Sequence, residues 1–240
     1  VPRPYWVDPE IRAIRVTNGF GMPSGHAQVS TVWLYAAFSM KKKGFWIASV
    51  VIALMIGLSR IYLGVHFSSQ VIAGWLTGII ILVLFARYEE PVLSWFLGRT
   101  LSGQLLLIGG ITVLMVLPGI IILYFTRDWV MPREWVINAA DYFPCHGESI
   151  LTSRGISAVT GNSGGFLGVA LGAWLIHRRG GFDPGGTWVR LLRSVAGLIL
   201  ITALYFSLTL IEPDPGNDLM MAAWRFSGFF ALSFFSIYLF

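Results

Sequence analysis

The chain has 240 residues, of which 55% are hydrophobic and only 12% are charged. Soluble globular domains carry about a quarter charged residues, so this composition excludes that class and predicts a protein that lies among membrane lipids. The net charge of +5 does not indicate a nucleic-acid partner, because the basic residues lie between apolar runs and not on one face with interleaved aromatic residues.

Apolar segments separated by polar and turn-forming residues recur along the whole chain. They predict about seven transmembrane helices, at 24–40, 45–59, 67–87, 104–125, 158–176, 192–211 and 219–240. Only helices and closed barrels satisfy every backbone group in lipid, and these segments lack the alternating polarity of barrel strands. The predicted fold class is therefore all-α, a polytopic membrane helical bundle.

Two long stretches fall outside the predicted helices. Residues 1–23 are predicted to form an irregular or interfacial lead-in, and the polar stretch 126–157 is predicted to form a long external loop. The connections at 41–43, 86–103 and 177–191 carry far more basic than acidic residues, which predicts that they face the cytoplasm. The lead-in, residues 59–66 and the long loop are then expected on the periplasmic, lumenal or extracellular side.

Three polar elements fall on that external side under this topology. They are Arg3-Pro4 in the lead-in, Pro23-Ser24-Gly25-His26 at the start of the first helix, and the segment from Ser59-Arg60 to His66 between the second and third helices. A helix N-terminus with arginines binds phosphate well, and histidine can attack phosphorus or carry a proton near neutral pH. Singly, such residues are most often solvated or snorkel to headgroups, but together they indicate phosphoryl transfer.

The ordered set resembles the signature of the type 2 phosphatidic acid phosphatase superfamily. That signature is Lys-x6-Arg-Pro, then Pro-Ser-Gly-His, then Ser-Arg-x5-His-x3-Asp, and the chain matches its second element and the Ser-Arg-x5-His of its third at the same spacing. The resemblance covers about residues 1–85 and favours a phosphatase core at 1–90, incomplete at its N-terminus because the motif lysine would precede Val1. Residues 91–240 are then an additional transmembrane region that includes the external loop.

The resemblance also implies a role for each matching residue. His66 is expected to attack phosphorus to give a phosphohistidine, and His26 to protonate the leaving alkoxide and later activate water. Arg3, Arg60 and the backbone N–H groups of Ser24 and Gly25 are expected to bind the phosphate oxygens. Gln70 replaces the motif aspartate that orients the nucleophile, and it resembles the glucose-6-phosphatase branch, as does the sequence Arg3-Pro4-Tyr5-Trp6.

The expected reaction uses no metal and no other cofactor, and the single cysteine, Cys145, receives no role. The leading hypothesis is hydrolysis of a phosphate monoester or pyrophosphate, with a lipid or prenyl phosphate as substrate. Alternatives within the superfamily are a sugar-phosphate phosphatase and a phospho-group transferase. A catalytically silent membrane scaffold or transport component is the alternative of another class, and the sequence leaves the oligomeric state open.

The second half of the sequence is less informative. Gly164, Gly168 and Gly172 recur every four residues, a spacing that favours close packing of two helices. Four polar residues are candidates for a substrate entrance, although helix-end capping and solvation explain such residues more often: Asn162, Ser163, His146 and Arg154.

Overall fold

A computed structural model describes residues 1–16, 19–140, 156–181, 185–211, 213 and 217–238 of the chain. The described residues form helices and no strands. In chain order the helices are α1 (Pro4–Val7), α2 (Gly25–Ser30), α3 (Val32–Met40), α4 (Lys43–Tyr62), α5 (Ser68–Leu97), α6 (Leu101–Phe125), α7 (Arg133–Ala140), α8 (Ser157–Arg178), α9 (Thr187–Leu210) and α10 (Asp218–Tyr238).

Within the described part of the chain, six helices are long and apolar enough to cross a membrane: α4, α5, α6, α8, α9 and α10. The all-α membrane bundle predicted from the sequence is therefore confirmed, and the chain is an integral multi-pass membrane protein. The predicted first helix, at 24–40, is instead two shorter helices that meet at Thr31. The Ser30 and Thr31 hydroxyls donate to the carbonyls of Ala27 and Gln28, so they compete with the backbone hydrogen bonds of a continuous helix.

The helix bounds differ from the prediction at other places. The third predicted helix continues past residue 87 to Leu97, because Pro91 lies inside α5 without ending it. Membrane helices tolerate such prolines when neighbouring groups satisfy the freed carbonyl. The predicted loop 126–157 contains the helix α7, and its residues 141–155 lie outside the described residues.

The chain forms two compact units. The described residues of the first unit are those from Val1 to Gly98 together with those from Val130 to residue 140, and the rest belong to the second unit. The first unit is thus discontinuous in sequence. The sequence predicts a boundary at residue 90 between a phosphatase core and an additional transmembrane region, and this boundary stays a prediction.

The first unit buries a small apolar cluster. It consists of Tyr5 and Trp6 of α1, Ala139 of α7, and two residues outside the helices, Val65 and Met131. Asn138 of α7 adds a hydrogen bond from Nδ2 to the Trp6 carbonyl at 3.0 Å. Helix α1 has only four residues, too few to be stable alone, so this cover fixes its position.

In the second unit, α8 packs closely against α10 along the predicted glycine ladder. A Cβ on Gly164 would overlap the Phe226 carbonyl, and a Cβ on Gly168 would overlap the Phe230 carbonyl. The packing interpretation of the ladder therefore agrees with the contacts. Ser163 is buried in the same helix and donates to the Val159 carbonyl, and Asn162 is exposed.

Candidate active site

A cavity of about 130 Å³ lies in the first unit, where α1 and α2 begin and α4 ends. This is about the volume of four water molecules in the liquid, which suffices for one phosphoryl group. Its walls contain five of the predicted site residues and three others: Arg3, Gly25, His26, Arg60 and His66, with Phe20, Pro23 and Val65. The structure therefore brings together three sequence elements whose residues lie up to 63 positions apart.

Arg3 is buried, with 6% of its surface exposed, at the residue before α1. The following proline favours an extended backbone at this position, which turns the Arg3 side chain away from the helix. Its Nε donates to the Gly19 carbonyl at 2.7 Å, and its Nη1 donates to the Val65 carbonyl at 2.9 Å. Nη1 also lies 3.5 Å from His66 Nε2, so the guanidinium is held directly beside the ring.

The Gln70 amide fixes the tautomer of His66. Gln70 Nε2 donates to the Pro2 carbonyl at 2.7 Å, so its Oε1 faces His66 Nδ1 at 2.9 Å and also accepts from the Phe67 amide. An amide oxygen can only accept, so Nδ1 carries the ring proton. Nε2 then carries the ring's lone pair, 3.5 Å from Arg3 Nη1.

His26 lies in the first turn of α2 and is exposed. Its neighbour Ser24 is fully buried, is not part of the cavity wall, and makes no side-chain cap to the helix. The Ser24 backbone N–H donates to the Gln70 carbonyl at 3.0 Å, so this N–H is not available to a phosphate as the sequence predicted. Gly25 does line the cavity, with open space where a Cβ would stand.

Arg60 lies in the last turn of α4 and is half-buried. Its Nε donates to the Ser59 hydroxyl at 3.3 Å, and its carbonyl accepts from the Val65 amide at 3.2 Å. This turn passes through Gly64, whose φ of +71° is a conformation that favours glycine. The turn brings Arg60 and His66 to the same cavity.

Burial and positive charge lower the pKa of both histidines below the ordinary value of 6.5. For His66, burial has the largest effect and the charges of Arg3 and His26 add to it, against hydrogen bonds of the ring with Gln70 and Gly21 that raise the pKa. For His26, burial is again the largest cause, followed by the charges of Arg60, Arg15 and Arg3. Both rings therefore hold their second proton less firmly than a free histidine before a ligand binds.

Sequence reasoning missed two contributors to this site. The Pro2 carbonyl orients the Gln70 amide, and Gly21 leaves room for that amide, because a Cβ on Gly21 would overlap it. No motif marks either position. Every residue has a backbone carbonyl, and a glycine occurs for many structural reasons, so neither feature points to the site. The candidate entrance residues His146 and Arg154, and Cys145, lie outside the described residues. Among the described residues no three His, Cys, Asp or Glu side chains form a group that could hold a metal ion.

Two family models match the chain. Residues 1–92 match the PAP2 superfamily, and residues 160–240 match the family described as PAP2 superfamily phosphatase, transmembrane extension. The chain belongs to the PAP2 superfamily. The first match of this PAP2 protein contains every residue of the cavity wall.

Curated relatives of the PAP2 chain include lipid and sugar phosphatases. It is 30% identical over 100 residues to phosphatidylglycerophosphatase B of Bacillus subtilis, which covers 36% of the chain and 49% of that protein. It is 33% identical over 89 residues to undecaprenyl-diphosphatase of Sulfolobus acidocaldarius, a match that covers 37% of the chain and 43% of that protein. It is 34% identical over 176 residues to glucose-6-phosphatase catalytic subunit 1 of Rattus norvegicus, a match that covers 56% of the chain and 47% of that protein. The chain thus spans about half the length of the curated relatives it matches. No solved structure shows a significant match.

Proposed function

We propose that this PAP2 protein is a membrane phosphatase that hydrolyses a phosphate monoester or pyrophosphate through a phosphohistidine at His66 Nε2. One observation carries the proposal: His66, whose Nδ1 is paired with Gln70 and whose Nε2 lies 3.5 Å from Arg3 Nη1, lines a cavity together with Arg3, Arg60 and His26. A nucleophile held in one tautomer beside fixed cations is the arrangement that phosphoryl transfer requires.

The reaction proceeds in two steps. In the first, the His66 Nε2–P bond forms as the ester P–O bond breaks, and His26 gives its proton to the departing oxygen. The bound phosphate charge offsets the nearby arginines, so it favours the protonated form of His26 that this step needs. In the second step His26 takes a proton from water, which attacks phosphorus and releases inorganic phosphate and free His66.

Arg3, Arg60 and the Gly25 N–H bind the non-bridging oxygens in this proposal. Arg3 supports the role best, because its hydrogen bonds to the Gly19 and Val65 carbonyls hold the guanidinium in place before substrate arrives. Preorganised donors stabilise charge in the transition state without reorganising during the reaction. No metal or other cofactor takes part.

The proposed substrate is a lipid or prenyl phosphate. A groove of about 450 Å³ runs beside α2 and α3, and its walls are mostly apolar: Gln28, Val29, Thr31, Val32, Tyr35, Gly78, Ile81, Leu82 and Phe85. Helix α2 contributes His26 to the cavity and, three residues later, Val29 to this groove, and residues at that spacing lie on one side of a helix, which supports a hydrocarbon chain on the bound phosphate. A sugar phosphate remains the alternative, supported by Gln70, by Arg3-Pro4-Tyr5-Trp6 and by the likeness to glucose-6-phosphatases.

The experiment that tests the mechanism is a rapid acid-free quench with substrate carrying labelled phosphate. We expect the parent protein and His26→Ala to yield acid-labile phosphoenzyme, with His26→Ala hydrolysing it slowly, and His66→Ala to yield none. His177→Ala is the matched control, because this histidine lies at the end of α8 in the second unit and should leave turnover unchanged.

Three outcomes would oppose the proposal. Label retained in His66→Ala but lost in His26→Ala would reverse the two histidine roles. Phosphoenzyme that passes its phosphate to an added alcohol but not to water would favour the transferase. A parent protein that turns over neither lipid phosphate nor hexose phosphate would favour the silent scaffold.

A further inference from the structure

The groove beside α2 and α3 has two walls. Residues between 28 and 35, from α2 and α3, form one wall, and residues between 78 and 85, from α5, form the other. Each wall is about two helical turns long, or about 10 Å at the rise of an α-helix. The groove is therefore elongated along these helices.

The two walls run in the same direction, away from the catalytic cavity. Ahead of the groove, the Ser24 amide donates to the carbonyl of Gln70, whose side chain pairs with the proposed nucleophile. Further along, a Cβ on Gly74 would overlap the Ser24 carbonyl. One turn later, a Cβ on Gly78 would overlap the Gln28 carbonyl. Later residues of α5 thus meet later residues of α2, so the groove leads away from the site of phosphoryl transfer.

Two aromatic rings, one from each wall, lie at the far end of the groove. Tyr35 is the last groove residue on α3, and Phe85 is the last on α5. Their ring centroids are 5.5 Å apart and their planes meet at 75°, which is an edge-to-face contact. Because the touching rings come from opposite walls, a hydrocarbon chain that lies in the groove meets them at its end.

A carboxyl group just beyond the groove fixes the Tyr35 ring. The Tyr35 hydroxyl donates to Glu89 Oε2 at 2.6 Å, a length typical of a hydroxyl that donates to a carboxylate. Glu89 is half-buried, lies one turn after Phe85 on α5 and does not line the groove. Burial of a charged group is costly unless it is paired, so this bond satisfies both polar groups. It also joins α3 to α5 at the end of the groove.

We propose that Tyr35 and Phe85 determine the length of hydrocarbon chain that the groove accommodates, and that Glu89 is the positioning residue for Tyr35. The inference rests on the proposed function, in which the phosphate occupies the catalytic cavity and its hydrocarbon chain follows the groove. The path from His26 to Tyr35 is about 14 Å long. An extended chain of about 12 carbons fills it, at about 1.2 Å per bond. Methylenes up to the rings gain apolar contact, whereas those beyond must turn out of the groove and gain none.

The test measures kcat/KM for octyl phosphate, which ends before the rings, and for hexadecyl phosphate, which exceeds the groove, on the full protein in detergent micelles. Each variant is divided by the parent for the same substrate, so that partition into micelles cancels. Tyr35→Ala should raise the value for hexadecyl phosphate about fivefold or more, mainly through KM, and change that for octyl phosphate by less than about twofold. Tyr88→Ala is the matched control, because this exposed tyrosine of α5 does not line the groove, and it should change neither value.

The positioning role of Glu89 is tested with the same two substrates. Glu89→Leu removes the acceptor and should give a smaller rise for hexadecyl phosphate, because the Tyr35 ring remains but can turn. Glu89→Gln should keep the parent preference, since an amide oxygen still accepts from the Tyr35 hydroxyl. In Tyr35→Phe, which lacks the hydroxyl, Glu89→Leu should have no further effect.

The outcomes separate this inference from the proposed function. Equal changes for both substrates in a folded Tyr35→Ala protein, or no change in either, would overturn the role of the rings and leave the phosphatase intact. A thermal melt shows folding, and Tyr35→Leu, which also shortens the side chain, replaces Tyr35→Ala if that variant is unfolded. A parent protein that hydrolyses hexose phosphate but neither alkyl phosphate would overturn this inference and the lipid substrate. One that hydrolyses no phosphate ester would overturn the proposed function as well.

Discussion

At the scale of single residues, the site depends on a chain of three groups: the Pro2 carbonyl, the Gln70 amide and the His66 ring. The Pro2 carbonyl accepts from the Gln70 Nε2, which leaves the Gln70 Oε1 facing the His66 ring. Because Oε1 can only accept, His66 Nδ1 carries the proton. A neutral amide orients the ring as a carboxylate does but adds no negative charge. The pKa of His66 is therefore set by burial and the neighbouring cations, which lower it, and by the hydrogen bonds with Gln70 and Gly21, which raise it.

The first residue-scale prediction concerns the charge at position 70. In the parent protein the pKa of His66 should lie below 6.5, because burial and Arg3 disfavour the imidazolium. Gln70→Glu should raise the pKa of His66, because a carboxylate beside Nδ1 favours the protonated ring. Since His66 attacks only as the neutral ring, the acid limb of kcat/KM should move to higher pH in this variant. NMR titration of the ring signals, with His66 assigned from His66→Ala, measures the pKa directly.

The comparison variant is Gln70→Leu, which removes the acceptor without adding charge. We expect it to lower kcat about 10- to 100-fold, the usual cost of losing a group that orients a reactive histidine. An acid limb that moves equally in Gln70→Glu and Gln70→Leu would contradict the charge argument.

The sequence was sufficient to predict five cavity residues because their motif spacing encodes them: Arg3, Gly25, His26, Arg60 and His66. It was wrong for the Ser24 N–H, because a backbone donor at a helix start can be taken by a distant carbonyl that no local pattern reveals.

At the scale of helices, apolar segments predicted the spans well, but their ends and breaks depend on local hydrogen bonds. Thr100 accepts from the Gly103 amide and begins α6 three residues before its predicted start. Helix α7 was missed because its eight residues are polar enough to suggest a loop. It forms against Tyr5 and Trp6, so tertiary packing and not propensity decides it.

The prediction at this scale concerns the contact of α8 with α10. Gly168→Ala should destabilise the protein, because even one methyl group would overlap the Phe230 carbonyl. Overpacking of this kind costs about 2 kcal/mol, which lowers Tm by about 4–8 °C in a chain of this size. A thermal melt in detergent measures it. Gly110→Ala on α6 is the matched control, since a Cβ there meets nothing within 4 Å, and an equal fall in Tm for both variants would contradict the packing argument.

At the scale of the whole molecule, the distribution of charge predicts which side of the membrane the site faces. The basic connection at 41–43 lies at the start of α4, and Arg60 lies in the last turn of the same helix. If α4 crosses the membrane, the two ends face opposite sides, and the basic end is expected in the cytoplasm. In a chain whose natural cysteine is replaced, Tyr62→Cys should react with an impermeant maleimide added from outside the cell, and Lys42→Cys should not. Both positions are exposed. The reverse pattern of labelling would place the site on the cytoplasmic side.

The discontinuity of the first unit determines when the pocket can be completed during synthesis. A nascent chain that ends at Gly98 already contains every residue of the cavity wall, but it lacks Met131, Asn138 and Ala139, which hold α1. The ribosome adds those residues only after all of α6 has been made. Until then Arg3 has its hydrogen bonds to Gly19 and Val65, but α1 lacks the part of its cover that α7 supplies, so the packing around the pocket is completed only after translation has passed a span of the other unit.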